Sequence, residues 1–84
     1  MFTAKVTVTL RPAILDVQGK AVEHALHSLT YTQVDHVRMG KYITMNIATD
    51  DEKEARRIAE EASHKLLSNP IIEDFAVTLE RIQN

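Results

Sequence analysis

The chain has 84 residues, ten basic against twelve acidic, and a net charge of −2. That length fits one domain over residues 1–84 and a thin core, which an oligomer interface often supplements. Hydrophobic residues at 44% and charged residues at 26% exclude disorder, and the absence of cysteine excludes disulfides, thiol chemistry and thiolate metal sites. The acidic balance argues against nucleic acid, whose phosphates call for basic patches. The N-terminus reads MFTAKVTVTL, with no basic leader before an apolar stretch. No apolar run approaches the roughly 20 residues of a membrane span. A soluble cytoplasmic protein is the expectation.

Residues 2–10 alternate. Phe2, Ala4, Val6, Val8 and Leu10 share one face; Thr3, Lys5, Thr7 and Thr9 share the other. Period two predicts a half-buried strand, ended by Arg11-Pro12. Asp16 is a good N-cap for a helix carrying Ala21, Val22, Ala25, Leu26 and Leu29 as its apolar stripe. That helix ends near Thr30-Tyr31. A hairpin follows, with one strand within Val34–Met39, a turn at Gly40-Lys41 and a second strand at Tyr42–Ala48.

The second helix opens on Thr49, with Glu52 at capping-box spacing. Its stripe is Ala55, Ile58, Ala59, Ala62 and Leu66, and Ser68-Asn69-Pro70 stops it. The last strand is Asp74–Glu80. The order β-α-β-β-α-β predicts an α+β, ferredoxin-like fold, a four-stranded antiparallel sheet with both helices on one face.

The face away from the helices holds Thr3, Lys5, Thr7, Thr9, Tyr42, Thr44, Asn46, Ala76 and Thr78. Its scarcity of charge suits self-association better than plain solvation. It lacks the central-strand aromatics on which an RNA-recognition domain stacks bases.

No chemistry-bearing constellation emerges. His24 and His27 are neighbours on a helix, on the side opposite its apolar stripe, with no third ligand predicted nearby. Ser28, Ser63 and Ser68 lie in helices or at their ends, not in a strand-to-helix elbow. No phosphate-cradling motif occurs. The expectation is no catalytic residue, no metal site and no cofactor on this chain. Gly19 stands out, because a glycine within a helix costs about 1 kcal/mol relative to alanine. Either its N–H and Lys20 hold an anion, or a backbone passes where only glycine fits. The exposed candidates for partner contact are Gln18, Gly19, Lys20, Arg38, Gly40, Lys41, Tyr42, Asn69 and Pro70.

The stretches LDVQGKAVEHALHSL, VRMGKYI and LLSNPIIEDF, in that order, resemble the PurS family, the small subunit of phosphoribosylformylglycinamidine synthase. The resemblance covers almost the whole chain. It departs at Val17, where the family usually has proline, and at Ser68, where alanine is frequent. The resemblance implies a non-catalytic assembly subunit in de novo purine biosynthesis. The complex converts formylglycinamide ribonucleotide, ATP and glutamine to formylglycinamidine ribonucleotide, using ATP and Mg2+. The implied partners are a large ligase subunit (PurL) and a glutaminase subunit (PurQ), which this subunit would bridge while supporting ammonia transfer. The resemblance also implies a homodimer or a tetramer, and it favours close approach at Gly19. The alternatives are an ACT-like module that binds a small molecule and a stand-alone acylphosphatase-like enzyme. Arg11 occupies the latter's loop, but its glycine-rich cradle is missing.

Overall fold

The computed structural model describes residues 1–82. Three strands and two α-helices form among the described residues: β1 (Phe2–Leu10), α1 (Val17–Ser28), β2 (Gly40–Ile47), α2 (Glu52–Ala62), which runs into a π-helical segment, and β3 (Glu73–Arg81). The sheet is antiparallel in the order β2-β1-β3. β1 takes the centre because it alternates most cleanly. Phe2, Ala4, Val6 and Val8 are buried on one face, while Thr7 and Thr9 are exposed on the other. Burying one such large apolar side chain is worth about 1.5–3 kcal/mol.

α2 lies on the apolar face at the Phe2 end of the sheet. Ala55 and Ala59 pack with Phe2, Ala4 and Ile47, and Met45, Ile58, Val77 and Leu79 surround them. Alanines at this contact let the helix approach the sheet closely. The helix is capped by Asp51, whose carboxylate accepts from Lys53 N at 3.0 Å. Thr49 is not the cap; its hydroxyl accepts from Asp51 N at 3.2 Å and so orients the capping residue. Replacing Asp51 with alanine is expected to cost about 1 kcal/mol in a urea titration, and Thr49→Ala less than that.

The helix widens after Ala62 into a π-helical segment, Ser63–Leu67. The Ser63 hydroxyl donates to Ala59 O at 2.7 Å, and the Ser68 hydroxyl and amide both reach Ser63 O. A π turn carries more residues than an α turn, so the face rotates. The buried positions become Ser63 and Ser68, and Leu66, predicted on the stripe, is 82% exposed.

Two further expectations fail at α1. Residues 34–39 form no strand, so the described sheet has three strands rather than four, and the ferredoxin-like order lacks its fourth. The Gly40-Lys41 turn disappears with it, because both residues begin β2. Nor does α1 lie on the sheet. It buries only Gly19, and Leu29 of the predicted stripe is 64% exposed. The reason is one competition. The return segment 34–39 finds its polar partners on α1, on the face made by Gly19, Glu23 and His27. α1 and this segment form an arm, and the molecule measures 49 × 30 × 14 Å. Among the described residues no helix is long and apolar enough to cross a membrane.

Candidate functional site

The arm joins the sheet where β1 ends and β2 begins, and Asp16 is the joint. Its side chain caps α1 by accepting from Gly19 N at 2.8 Å through Oδ1. Its Oδ2 accepts from Met39 N at 2.6 Å, one residue before β2. The residue is 4% exposed. These two N–H donors, Gly19 first, hold its carboxyl below the ordinary aspartate value, with the Arg38 charge helping.

Gly19 answers its own question here. A Cβ on it would lie 2.2 Å from Val37 O and 2.8 Å from Asp16 Oδ2. Close approach of the return segment, within the chain, demands the glycine. The anion that sits at this helix N-terminus is the chain's own Asp16 carboxylate. Farther out, Val37 N donates to Glu23 Oε1 at 3.2 Å, and His27 Nε2 lies 2.6 Å from Val34 O. That contact makes Nε2 the protonated nitrogen. His27, predicted to face solvent, is therefore half-buried, while His24 is exposed.

The same end of the molecule gathers most of the predicted contact residues. Arg38 donates from Nη2 to Arg11 O at 3.1 Å and Ile14 O at 2.9 Å. Lys41 Nζ donates to Leu67 O at 3.0 Å and lies 3.8 Å from Glu73. Asn69 Oδ1 accepts from Ile71 N, its carbonyl accepts from Glu73 N at 2.7 Å, and its N–H donates to the Glu73 carboxylate. Pro70 O accepts from Arg11 Nη2 at 2.5 Å. Gln18, Gly40 and Lys41 line one open cleft of about 310 Å³, with Asp16, Met39 and Glu73. Lys20 is exposed in the first turn of α1, and Tyr42 lies apart on the polar sheet face, opposite Thr7. Sequence reasoning did not single out Glu23 or Glu73, and it placed Arg11 only in a loop after the first strand; Arg11 and Glu23 bond backbone groups 59 and 14 residues away, which spacing does not reveal.

Arg11, Arg38 and Lys41 are all engaged with carbonyls and carboxylates of the same chain. Among the described residues, the serine and threonine hydroxyls that form hydrogen bonds meet backbone groups or Asn46, not a histidine ring or a carboxylate. Among the described residues no three or more His, Asp or Glu side chains could hold a metal ion. Beside the joint, Leu15 and Val17 are 69% and 71% exposed, and Met39 is exposed as well. A rigid, internally satisfied polar frame bordered by exposed apolar side chains suits docking rather than chemistry.

Residues 3–81 match the family model described as PurS, phosphoribosylformylglycinamidine (FGAM) synthase. The chain belongs to the PurS family. The PurS subunit of Bacillus subtilis (strain 168) is 43% identical over 82 residues, covering 98% of this chain and 96% of the relative. The crystal structure of Methanocaldococcus jannaschii PurS superposes with a TM-score of 0.88 at 31% identity, covering 99% of this chain and all of that one. A chain in the structure of PurLQS from Thermotoga maritima superposes with a TM-score of 0.86 at 26% identity, covering 94% of this chain and 96% of that one. The relative from Bacillus subtilis is named as a subunit of phosphoribosylformylglycinamidine synthase.

Proposed function

We propose that the chain is the small, non-catalytic assembly subunit of phosphoribosylformylglycinamidine synthase, acting as one domain. It holds the ligase and glutaminase subunits together and supports the passage of ammonia between them. The complex draws on ATP and Mg2+ at the ligase subunit and works in the cytoplasm. The observation that carries this reading is the Asp16–Gly19–Arg38–Lys41 end of the molecule. Its charged groups are engaged within the chain, and apolar side chains stand exposed around them. The chain also self-associates, as a dimer or a tetramer, since its α1 stripe finds no cover within one copy. An ACT-like ligand module has no support in the family match.

The test is reconstitution. Ligase and glutaminase subunits receive glutamine, ATP and formylglycinamide ribonucleotide, with and without this chain. Glutamine-dependent product is expected only when the chain is present. Equal product in its absence sinks the proposal. A product formed from free ammonium chloride without the chain, but not from glutamine, would place its role in ammonia delivery.

A further inference from the structure

One residue is shared by the arm and by the loop that joins α2 to β3. Arg11 follows β1 and holds that loop with three separate groups. Its N–H donates to Ile72 O at 2.8 Å, and its Nη2 donates to Pro70 O at 2.5 Å. Its Nε lies 3.4 Å from Asp74 Oδ1. The carbonyl of the same residue serves the arm. It accepts from Ile14 N at 2.9 Å and from Arg38 Nη2 at 3.1 Å, which fills both lone pairs of the oxygen. The same Arg38 nitrogen reaches Ile14 O at 2.9 Å. Arm and loop therefore meet on Arg11.

Both ends depend on such contacts for their shape. The loop is closed on Asn69, whose carbonyl accepts from Ile72 N and Glu73 N and whose Oδ1 accepts from Ile71 N. It carries Ile71, which is 80% exposed. In the arm, His36 stands two residues before Arg38 with φ 54°, in the left-handed region. A side chain other than glycine stays there only when its surroundings hold it. Arg38 and Asn69 share no hydrogen-bond partner, so a path between them has to run through another residue. Lys41 offers a second path, by way of β2 and Leu67 O. Its flexible stem makes a single hydrogen bond there, whereas Arg11 engages by its backbone and by a rigid plane.

We propose that Arg11 is a relay between the arm and the α2–β3 loop, so that ordering either one orders the other. Loosening Arg38 frees the Arg11 carbonyl, and the 11–14 turn then holds the Arg11 N–H and guanidinium less firmly against Ile72 and Pro70. The same chain runs in reverse when the loop opens, because a coupling free energy acts equally in both directions. No change of shape is needed; the second end orders at lower cost once the first is ordered. The use of the relay rests on the assembly role proposed above. A subunit seated against Ile71 stiffens the arm, and one seated against the exposed Leu15 or Val17 stiffens the loop.

The test is amide exchange by NMR on the chain alone, so its failure leaves the assembly role standing. Arg38→Met is expected to speed exchange about threefold at Glu73, on the far side of Arg11, and Asn69→Ala about threefold at Met39. Exchange at Val6, in the centre of the sheet, should not change, which separates coupling from general loosening. In an Arg11→Met background both remote effects should vanish while each variant still loosens its own end. Arg11→Lys keeps the charge beside Asp74 but not the guanidinium plane, and should act as Arg11→Met does. Lys41→Met should leave the remote effects in place. Remote effects that are absent from the otherwise wild-type chain, that Val6 shares, or that persist undiminished without the Arg11 side chain overturn the relay. Remote effects abolished by Lys41→Met overturn Arg11 as its carrier.

Discussion

Gly19→Ala is expected to destabilise the chain by about 1–3 kcal/mol, although alanine is the better helix former. At an exposed helical site the exchange would gain about 1 kcal/mol. Here the added methyl meets Val37 O at 2.2 Å and the Asp16 carboxyl at 2.8 Å. Neither neighbour is the free end of a long side chain. Val37 O belongs to a segment fixed on both sides, by Met39 N to Asp16 and by His27 to Val34 O. Making room means moving that segment from α1 or breaking the cap. The hydrophobic cluster of Phe2, Ala4, Ile47, Ala55 and Ala59 contains no residue of α1, so the damage stays in the arm. Hydrogen exchange should speed up over residues 17–39 and stay slow in β1. Gly19→Val should act in the same direction and more strongly, and should weaken complex formation in gel filtration while the sheet survives. A Gly19→Ala chain that gains stability, with exchange in the arm unchanged, would mean that Val37 yields easily and the glycine is not required.

The sheet was largely legible in the residues. β1 follows from strict alternation over nine residues, and β3 from Phe75, Val77 and Leu79. Both N-caps lie where aspartates stand, but the choice between Thr49 and Asp51 depended on side-chain geometry that spacing cannot resolve. The segment VDHVRM has the composition of a strand, and local propensity favours one. It is overruled by Asp16, 23 residues earlier, which takes the Met39 N–H that a hairpin would have used. His27 was misplaced for the same reason, since the stripe of α1 was assumed to face a sheet that it does not touch. The π segment left no pattern to read. It follows from Ser63 and Ser68 satisfying the widened turn from inside. Gln18, Gly40, Lys41 and Asn69 were legible as exposed residues beside turns and helix ends, and the first three line one cleft. The frame that binds them, Asp16 accepting from Met39 N and Arg11 donating to Pro70 O, became visible only in three dimensions.

Asp16→Asn is expected to lower Tm by roughly 5–10 °C at neutral pH and to remove the pH dependence of the arm. The carboxylate accepts two backbone N–H groups at once, one in α1 and one before β2. Asparagine offers a single carbonyl oxygen, and its amide would place a donor against a donor. One of the two N–H groups is then left without its acceptor in a buried place, where a lost partner is expensive. The pH effect follows from the same contacts. The native carboxyl is held below its ordinary value, which is near 4. Its contribution is therefore complete above that ordinary value and fades as pH falls through the lower native one. Stability measured between neutral pH and about 5 should be unaffected by this group. Below about 4 the wild-type arm should loosen, seen as faster exchange at Gly19 and Met39, while Asp16→Asn is loose throughout. Assembly with the ligase and glutaminase subunits at neutral pH separates joint from ornament. If the angle between arm and sheet matters to docking, Asp16→Asn weakens the complex although the core cluster lies elsewhere. A variant that assembles as tightly as wild type, with its arm demonstrably loosened, would move the docking surface away from α1 and onto the sheet.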